Sequence, residues 1–410
     1  MNPEPATADT LPFAHLRVLE LASVLAGPQV GQFFAELGAE VLKIESLAGD
    51  VTRTWKTSAE TAAASTIADT SVSAYFAASN WGKSSLVLDL TTPASQTVLH
   101  RLATQADIVL ASYKPGDAEK LRADYATLSA ENPRLIYGQL TGYGPDNARA
   151  GYDAVLQAEA GFMYLNAAGP GQSPQKMPVA MVDLLAAHQL KEGLLTALFR
   201  RERTGRGALV QVSLLDSALA SLANQAATYL VCGHDPQPLG SGHPSIVPYG
   251  TVYRAANGRS LVLAVGSDGQ FRHLCAALGR PEWATDARFQ ANAARVMHRV
   301  ELEILLSERI AAIDGDGLLA ELERRAVPAG AVRSVGEALR LPSAAGMLLP
   351  AAGYVAAGLR TVAFRSPQWP VASQLSAPPA LGTAGSEAFS RDSSGPNETA
   401  AGAASVFPVV

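Results

Sequence analysis

A strand, a helix and a second strand packed into thirty residues constrain this chain more than any other feature. Leu16-Arg-Val-Leu-Glu-Leu21 is an apolar run of strand length. After a loop at residues 22–28, Val30, Phe33, Phe34 and Leu37 recur at i, i+3, i+4 and i+7, one face of a helix. Gly38 is placed to stop that helix, and Glu40-Val-Leu-Lys-Ile-Glu45 reads as the second strand. Such a βαβ unit needs a right-handed crossover and a parallel sheet.

The alternation continues. Residues 85–90, 107–111 and 135–140 read as strands, and residues 94–104 as a helix, which predicts an open α/β sheet. From Asp183 to Arg203 a long helix is expected, with Leu190, Leu194, Leu195, Leu198 and Phe199 on its buried side. Thr204-Gly-Arg-Gly207 turns into a strand at 208–213, and a helix is expected at 214–229. The Gly- and Pro-rich stretch 233–250 marks a lobe boundary. Beyond it, strands at 250–254 and 260–265 form a hairpin around Ala256-Asn257-Gly258, and helices follow. The expected organisation is a flexible N-terminus (1–12), a large domain (13–225), a small domain (226–330), a segment returning to the large domain (331–380) and a disordered tail (381–410). With 410 residues, 48% of them hydrophobic and only 17% charged, the chain can bury the cores that two lobes require.

Several classes of function are excluded. A net charge of −5 gives no basic face for nucleic acid. No run of about 18 apolar residues predicts a membrane span. No basic region followed by an apolar stretch opens the chain, so a cytoplasmic protein is expected. The two cysteines, Cys232 and Cys275, build neither a disulfide framework nor a thiolate metal site. The seven histidines show no ligand spacing; Asp183 and His188, five apart on a helix, lie about 140° round its axis. No metal is expected. The first turn, Leu25-Ala-Gly-Pro28, lacks the dinucleotide glycines, and Pro28 removes an N–H that a pyrophosphate needs, although Glu45 is placed where ribose hydroxyls are held.

Asp183 follows the apolar run Pro178-Val-Ala-Met-Val182. Two readings are open. Aspartate is a favoured helix N-cap, accepting orphan backbone N–H groups. A carboxylate at a helix mouth is also a nucleophile, ionised at neutral pH without help and adjacent to donors for an oxyanion.

An ordered set of motifs brings in a resemblance. Val18-Leu-Glu-Leu-Ala-Ser-Val-Leu-Ala-Gly-Pro28, Leu37-Gly-Ala-Glu-Val-Leu-Lys-Ile-Glu45, Gly49-Asp-Val-Thr-Arg53 and Asn80-Trp-Gly-Lys-Ser-Ser-Leu-Val-Leu-Asp89 open the match. Gly142-Tyr-Gly144, Gly151-Tyr-Asp-Ala-Val-Leu-Gln-Ala158, the Asp183 segment, Arg203-Thr-Gly-Arg-Gly207 and Val327-Pro-Ala-Gly-Ala-Val332 continue it. Collinear over about residues 13–345, the chain resembles the family III (CaiB/BaiF-type) CoA-transferases.

The resemblance implies a Rossmann-like large domain, a smaller lobe, a C-terminal return and an interlocked homodimer. It implies transfer of CoA from an acyl-CoA to a free carboxylic acid, with Asp183 attacking the acyl carbonyl through a mixed anhydride and an aspartyl-CoA thioester. CoA is then a co-substrate, and no cofactor is bound permanently. Lys83, Lys120 and Arg53 become candidates for CoA's phosphates, and Tyr113 and Tyr143 for its pantetheine and adenine channel. The intermediates must be kept from water, and the loop Gly240-Ser-Gly-His-Pro244, with Gly240, Gly242 and His243, is the candidate lid, an interlobe linker being the alternative.

Departures narrow the reading. Leu25 and Ser46 replace a glutamine and an arginine of formyl-CoA transferase, and the four-glycine loop is absent, so formyl or oxalyl transfer is not expected. The adenine end must be held by Lys43 or by main chain. Leu381-Gly-Thr-Ala-Gly385 replaces a G-E-H-T run, which puts the final helix in doubt. α-Methylacyl-CoA racemases share the fold but place a histidine where this chain has Tyr152, and a phenol that ordinarily ionises near pH 10 is a poor proton shuttle. A racemase and a non-catalytic acyl-CoA-binding protein are the alternatives. Succinyl-CoA is the expected donor and a dicarboxylate the expected acceptor, its distal charge met by Arg53 or His243.

Overall fold

A computed structural model describes residues 11–63, 72–350, 352 and 357–389. Six strands form one parallel sheet: β1 (Arg17–Leu21), β2 (Glu40–Glu45), β3 (Lys83–Val87), β4 (Ile108–Ala111), β5 (Ile136–Thr141) and β6 (Ala208–Ser213). Their order is β3-β2-β1-β4-β5-β6, the doubly wound arrangement of a Rossmann fold. The inner strands are buried on both faces, which explains their near-continuous Val, Ile and Leu runs.

Four helices matter for the site: α1 (Ala26–Glu36), α2 (Pro93–Gln105), α3 (Asp153–Glu159) and α4 (Met181–Thr204). Val30 and Phe34 of α1 pack with Leu190 and Leu194 of α4 on one face of the sheet. Leu99 and Leu102 of α2 pack on the other. The helix α1 ends at Gly38, whose φ of +103° suits the glycine that the stop signal calls for. Leu195 and Phe199, expected inside, are exposed. They lie about 140° and 180° round the axis from Leu190, so they fall on the opposite face. The expected helix at 214–229 is two helices, Leu214–Ala220 and Ala223–Cys232, broken where Ala223 takes a φ of +46°. No glycine or proline announces that break.

A second sheet, β7 (Tyr249–Arg254), β8 (Ser260–Ala264) and β9 (Ala329–Ala331), is antiparallel and has its own core around Tyr253, Leu261, Phe271 and Leu302. The chain then returns. Thr361 donates from N and Oγ1 to the Glu36 carboxylate at 2.6 and 2.9 Å, and Gly82 N donates to Ser376 O at 3.0 Å. The disordered tail expected from residue 381 needs correction over 381–389. Ala384 N donates to Ser85 O at 2.7 Å, and Phe389 is buried in the α2-side core beneath Arg17. A weakly periodic sequence can still be ordered when it adds to an existing sheet face. The expectations for residues 1–10 and 390–410 lie outside the described residues. No helix among the described residues is long and apolar enough to cross a membrane.

Phe389→Ala should therefore cost about 3 kcal/mol in denaturant unfolding, the usual scale for emptying a buried aromatic site. A disordered tail predicts no change.

Candidate active site

In a doubly wound sheet, ligands bind beyond the carboxyl ends of the strands where the order reverses. Here that point lies between β1 and β4. A cleft of about 280 Å³ opens there, walled by the loops after β1 (Ser23 to Gly27), β4 (Ser112 to Pro115) and β5 (Leu140 to Gly142), and closed at one end by Asp183.

Asp183 is in the first turn of α4, but it does not cap it. The N-cap is Ala180, and it supplies no side-chain bond. Val182 N instead donates to Asp153 Oδ1 at 2.8 Å, and Gln157 Nε2 donates to Asp153 Oδ2 at 2.7 Å. Asp153, at the start of α3, thus does the capping across a gap of 29 residues. This leaves Asp183 only 8% exposed, with no hydrogen-bond donor to its carboxylate among the described residues. Burial, and secondarily the charge of Asp153, push its pKa up to about 7. The expectation of a carboxylate ionised at neutral pH without help is corrected: burial and the neighbouring Asp153 charge disfavour its ionised form.

A second cleft, about 400 Å³, also reaches Asp183. Val24, Leu25, Tyr152, Asp153 and Asp183 line both. Trp55 and Tyr75, edge to face at 5.1 Å, form its aromatic wall, and Lys176 stands at its rim. A third cleft runs between residues 44–48 and 88–91, with Tyr113 shared between it and the first. Burial raises the Tyr113 phenol to about 12, so it stays a neutral donor there. No histidine lines any of the three clefts, so the imidazole that racemase chemistry requires is missing from them.

The basic residues named from the sequence are placed differently from expectation. Lys83 Nζ is fully buried, donating to both Glu20 oxygens at 3.0 and 2.8 Å, to Pro28 O and to Asn80 Oδ1. With every proton committed, and burial pulling its pKa down to about 8, it has nothing to offer a phosphate. Arg53 is forked onto Glu45 at 2.8 and 2.6 Å, donates to Pro379 O and stacks 3.8 Å from the Phe76 ring. It cannot meet a substrate's distal charge from there. Lys43 is buried between Glu20 and Asp50, each at 3.0 Å, and is not available to adenine. Lys120 is exposed and paired with Asp117 at 2.8 Å, outside the clefts. Tyr143 lies beneath Arg149 at 4.2 Å and does not line them either. The loop carrying Gly240, Gly242 and His243 is held elsewhere. Gly240 N donates to Ala167 O, and Arg299 donates to His243 O at 2.7 Å. Of the candidates, Asp183 and Tyr113 come together in the first cleft. Sequence reasoning passed over Lys114 and Arg149, the cations that line it, although Lys114 sits in the same Ser-Tyr-Lys-Pro-Gly turn as Tyr113. Among the described residues no cluster of His, Cys, Asp and Glu could hold a metal ion.

Comparison with known proteins gives this site its family. The model for CoA-transferase family III matches residues 13–384. The succinate–glutarate CoA-transferase of Agrobacterium fabrum is 40% identical over 331 residues, which cover 80% of this chain and 81% of that protein. The succinyl-CoA:mesaconate CoA-transferase of Haloarcula hispanica is 34% identical, covering 78% and 80%. A crystal structure of a CaiB/BaiF family protein from Brucella suis superposes with a TM-score of 0.80 at 38% identity, covering 91% of this chain and 97% of that one. The chain belongs to CoA-transferase family III, and it is an enzyme that uses CoA thioesters.

The raised pKa of Asp183 has a consequence for stability. Between the unfolded value near 4 and about 7, the folded state holds the proton more tightly, so stability falls as pH rises through that window. Asp183→Asn should therefore be more stable than wild type at pH 8, by on the order of 2–4 kcal/mol, and the gain should vanish below about pH 4. Urea unfolding at both pH values checks this.

Proposed function

We propose that this enzyme moves CoA from succinyl-CoA to a small dicarboxylic acid, with Asp183 as the nucleophile. The observation that carries the reading is a buried carboxylate, without a hydrogen-bond donor among the described residues, lining both clefts. One cleft suits the thioester arm and the other the acyl group.

In this reading adenine occupies the third cleft, between residues 46–48 and 89–91, and the pantetheine arm passes Tyr113 into the first. The exposed Lys114 and Arg149 are the cations nearest its path. An Asp183 oxygen attacks the acyl carbonyl and expels CoA thiolate, leaving a mixed anhydride. The thiolate returns to the aspartyl carbonyl, giving the aspartyl-CoA thioester and the free donor acid. The incoming carboxylate attacks that thioester and again releases thiolate. The thiolate then attacks the new acyl carbonyl, and Asp183 is regenerated. N–H groups at the mouth of α1, where Ala26 and Gly27 line the first cleft, are the candidates to meet the developing oxyanions, those of Met181 and Val182 at the start of α4 being taken up by Val179 O and Asp153. Lys176, at the rim of the second cleft, is a better candidate for the distal carboxylate than Arg53 or His243. The dicarboxylates named for the Agrobacterium and Haloarcula relatives support that substrate class.

Anhydride and thioester must be shielded from water, and Tyr152, 62% exposed, lines both clefts of the single chain. An interlocked homodimer supplies a cover. Tyr229, Leu230 and Val231, all exposed on the helix Ala223–Cys232, support such an interface, and the 240–244 loop then acts as a lid across it. The proposal includes no resident cofactor. It places the protein in the cytoplasm, where the unpaired Cys232 and Cys275 stay reduced.

A mass-spectrometric exchange assay in D₂O tests the reading, with succinyl-CoA and isotope-labelled mono- and dicarboxylic acids. Label from dicarboxylates should enter the CoA ester without α-deuterium. Asp183→Ala should lower that exchange by at least about 10³-fold while CoA still binds. Exchange confined to monocarboxylates contradicts the substrate class. α-Deuterium without label exchange contradicts transfer altogether.

A further inference from the structure

We infer that Asp50 is a positioning residue for the transfer reaction, clamping with Lys43 the turn at residues 22–25 that faces Asp183. The inference rests on Asp183 being the reacting carboxylate. Asp50 touches none of the clefts, and a buried Asp–Lys pair beneath a sheet has an ordinary core role open to it. The turn above it says otherwise.

That turn leads from β1 into α1. Its Val24 and Leu25 form part of the wall common to the two clefts that share Asp183. Val24 has a φ of +71°, in the left-handed region that a β-branched residue rarely enters. Three contacts from other elements hold it there. Lys43 Nζ donates to Ala22 O at 2.7 Å, Ser23 N donates to Ser112 Oγ at 3.1 Å, and Val24 N donates to the Asp50 carboxylate at 3.2 Å. The lysine and the aspartate are themselves paired at 3.0 Å, so one ion pair grips the turn at both ends. Asp50 is aimed independently of the turn, because Thr52 donates to its Oδ1 from N at 3.0 Å and from Oγ1 at 2.8 Å. Space is tight on the inner side as well: a Cβ on Gly27 falls 2.2 Å from the Ala22 Cβ, so the turn cannot settle inward.

The clamp therefore fixes the wall against which the reacting carbonyl is pressed. It does not touch the cleft assigned to adenine. Releasing it misplaces the carbonyl relative to Asp183 while leaving most of the CoA contacts in place. The signature is a fall in kcat with little change in KM for acyl-CoA.

Asp50→Ala, Asp50→Asn and the double variant Asp50→Ala/Val24→Gly test this in the label-exchange assay. The alanine variant should lose about 100-fold in kcat with KM for succinyl-CoA within about threefold, the scale of an ångström-sized misplacement. Asparagine keeps an acceptor for Val24 N–H and should retain about a third of the wild-type kcat or more. Glycine at 24 adopts the positive φ unaided and should recover about tenfold in the alanine background. A merely structural role predicts a lower melting temperature, unchanged kcat per folded site and no rescue, and that result overturns the inference. Should Asp50→Ala not fold, hydrogen exchange of wild-type peptides decides: a Val24 amide protected as well as those of β1 is expected, and exchange within seconds contradicts the clamp. Asp183→Ala run in parallel separates the two failures. If it stays active, the nucleophile reading has failed; if it is dead while Asp50→Ala matches wild type, only the clamp has.

Discussion

Taking a carboxylate out of water is costly unless a charge or a set of donors replaces the water. Among the described residues Asp183 has neither, and Asp153 adds a second carboxylate charge near it. The fold sustains this because Asp153 takes over the N–H of Val182, capping α4 without drawing on Asp183. The nucleophile keeps both oxygens free, in a place where its charge is poorly solvated and its pKa sits at about 7. A group left in that state is ready to react with an acyl carbonyl. The same state makes it a liability to the folded chain, as strained or desolvated groups at active sites commonly are.

The charges around it are arranged in the opposite sense. Burial works against the charged forms of Asp50, Glu45 and Lys43, but their partners outweigh it: Lys43 holds Asp50 below the ordinary carboxylate range, Arg53 and Ser85 do so for Glu45, and Glu20 with Asp50 keeps Lys43 raised. Burial outweighs the partners at Lys83, which shares Glu20 with Lys43. Buried ion pairs of this kind contribute little net stability, yet removing one partner is severe, and they favour one arrangement over its neighbours. Here that arrangement joins β1, β2 and β3 to the Gly49–Arg53 segment and to the returning chain near Pro379. Behind the clefts the buried charges are paired. Asp183 is reactive because its own charge is not.

The parallel sheet was legible in the sequence because strands buried on both faces read as unbroken apolar runs. Ile108–Ala111 follows that pattern, whereas the edge strand Ala208–Ser213, alternately exposed, was legible from the turn Thr204-Gly-Arg-Gly207 before it. Asp183 was legible as a residue of interest, although spacing alone could not separate a cap from a nucleophile. That distinction depended on Asp153, a residue thirty positions away. The basic residues failed for a related reason. A sequence shows that Lys83 and Arg53 are cations, but their partners, Glu20 and Glu45, are set by tertiary pairing. A lysine that looks free to bind phosphate is then a core residue. Lys114 was hidden by the same limit, since only the turn after β4 shows that it, and not Lys120, lines the cleft. The break at Ala223 carries no local signal, whereas the outward face of Phe199, about 180° round the axis from Leu190, follows from helix periodicity and was legible.

The central claim is that Asp183 becomes covalently attached to CoA. The direct measurement is mass spectrometry of the protein after mixing with succinyl-CoA in the absence of an acceptor acid, followed by peptide mapping. The account predicts a CoA thioester on the peptide carrying Asp183, lost on addition of a dicarboxylate acceptor and absent from Asp183→Ala. An active enzyme that forms its adduct on another residue, or turns over with no adduct at all, contradicts it.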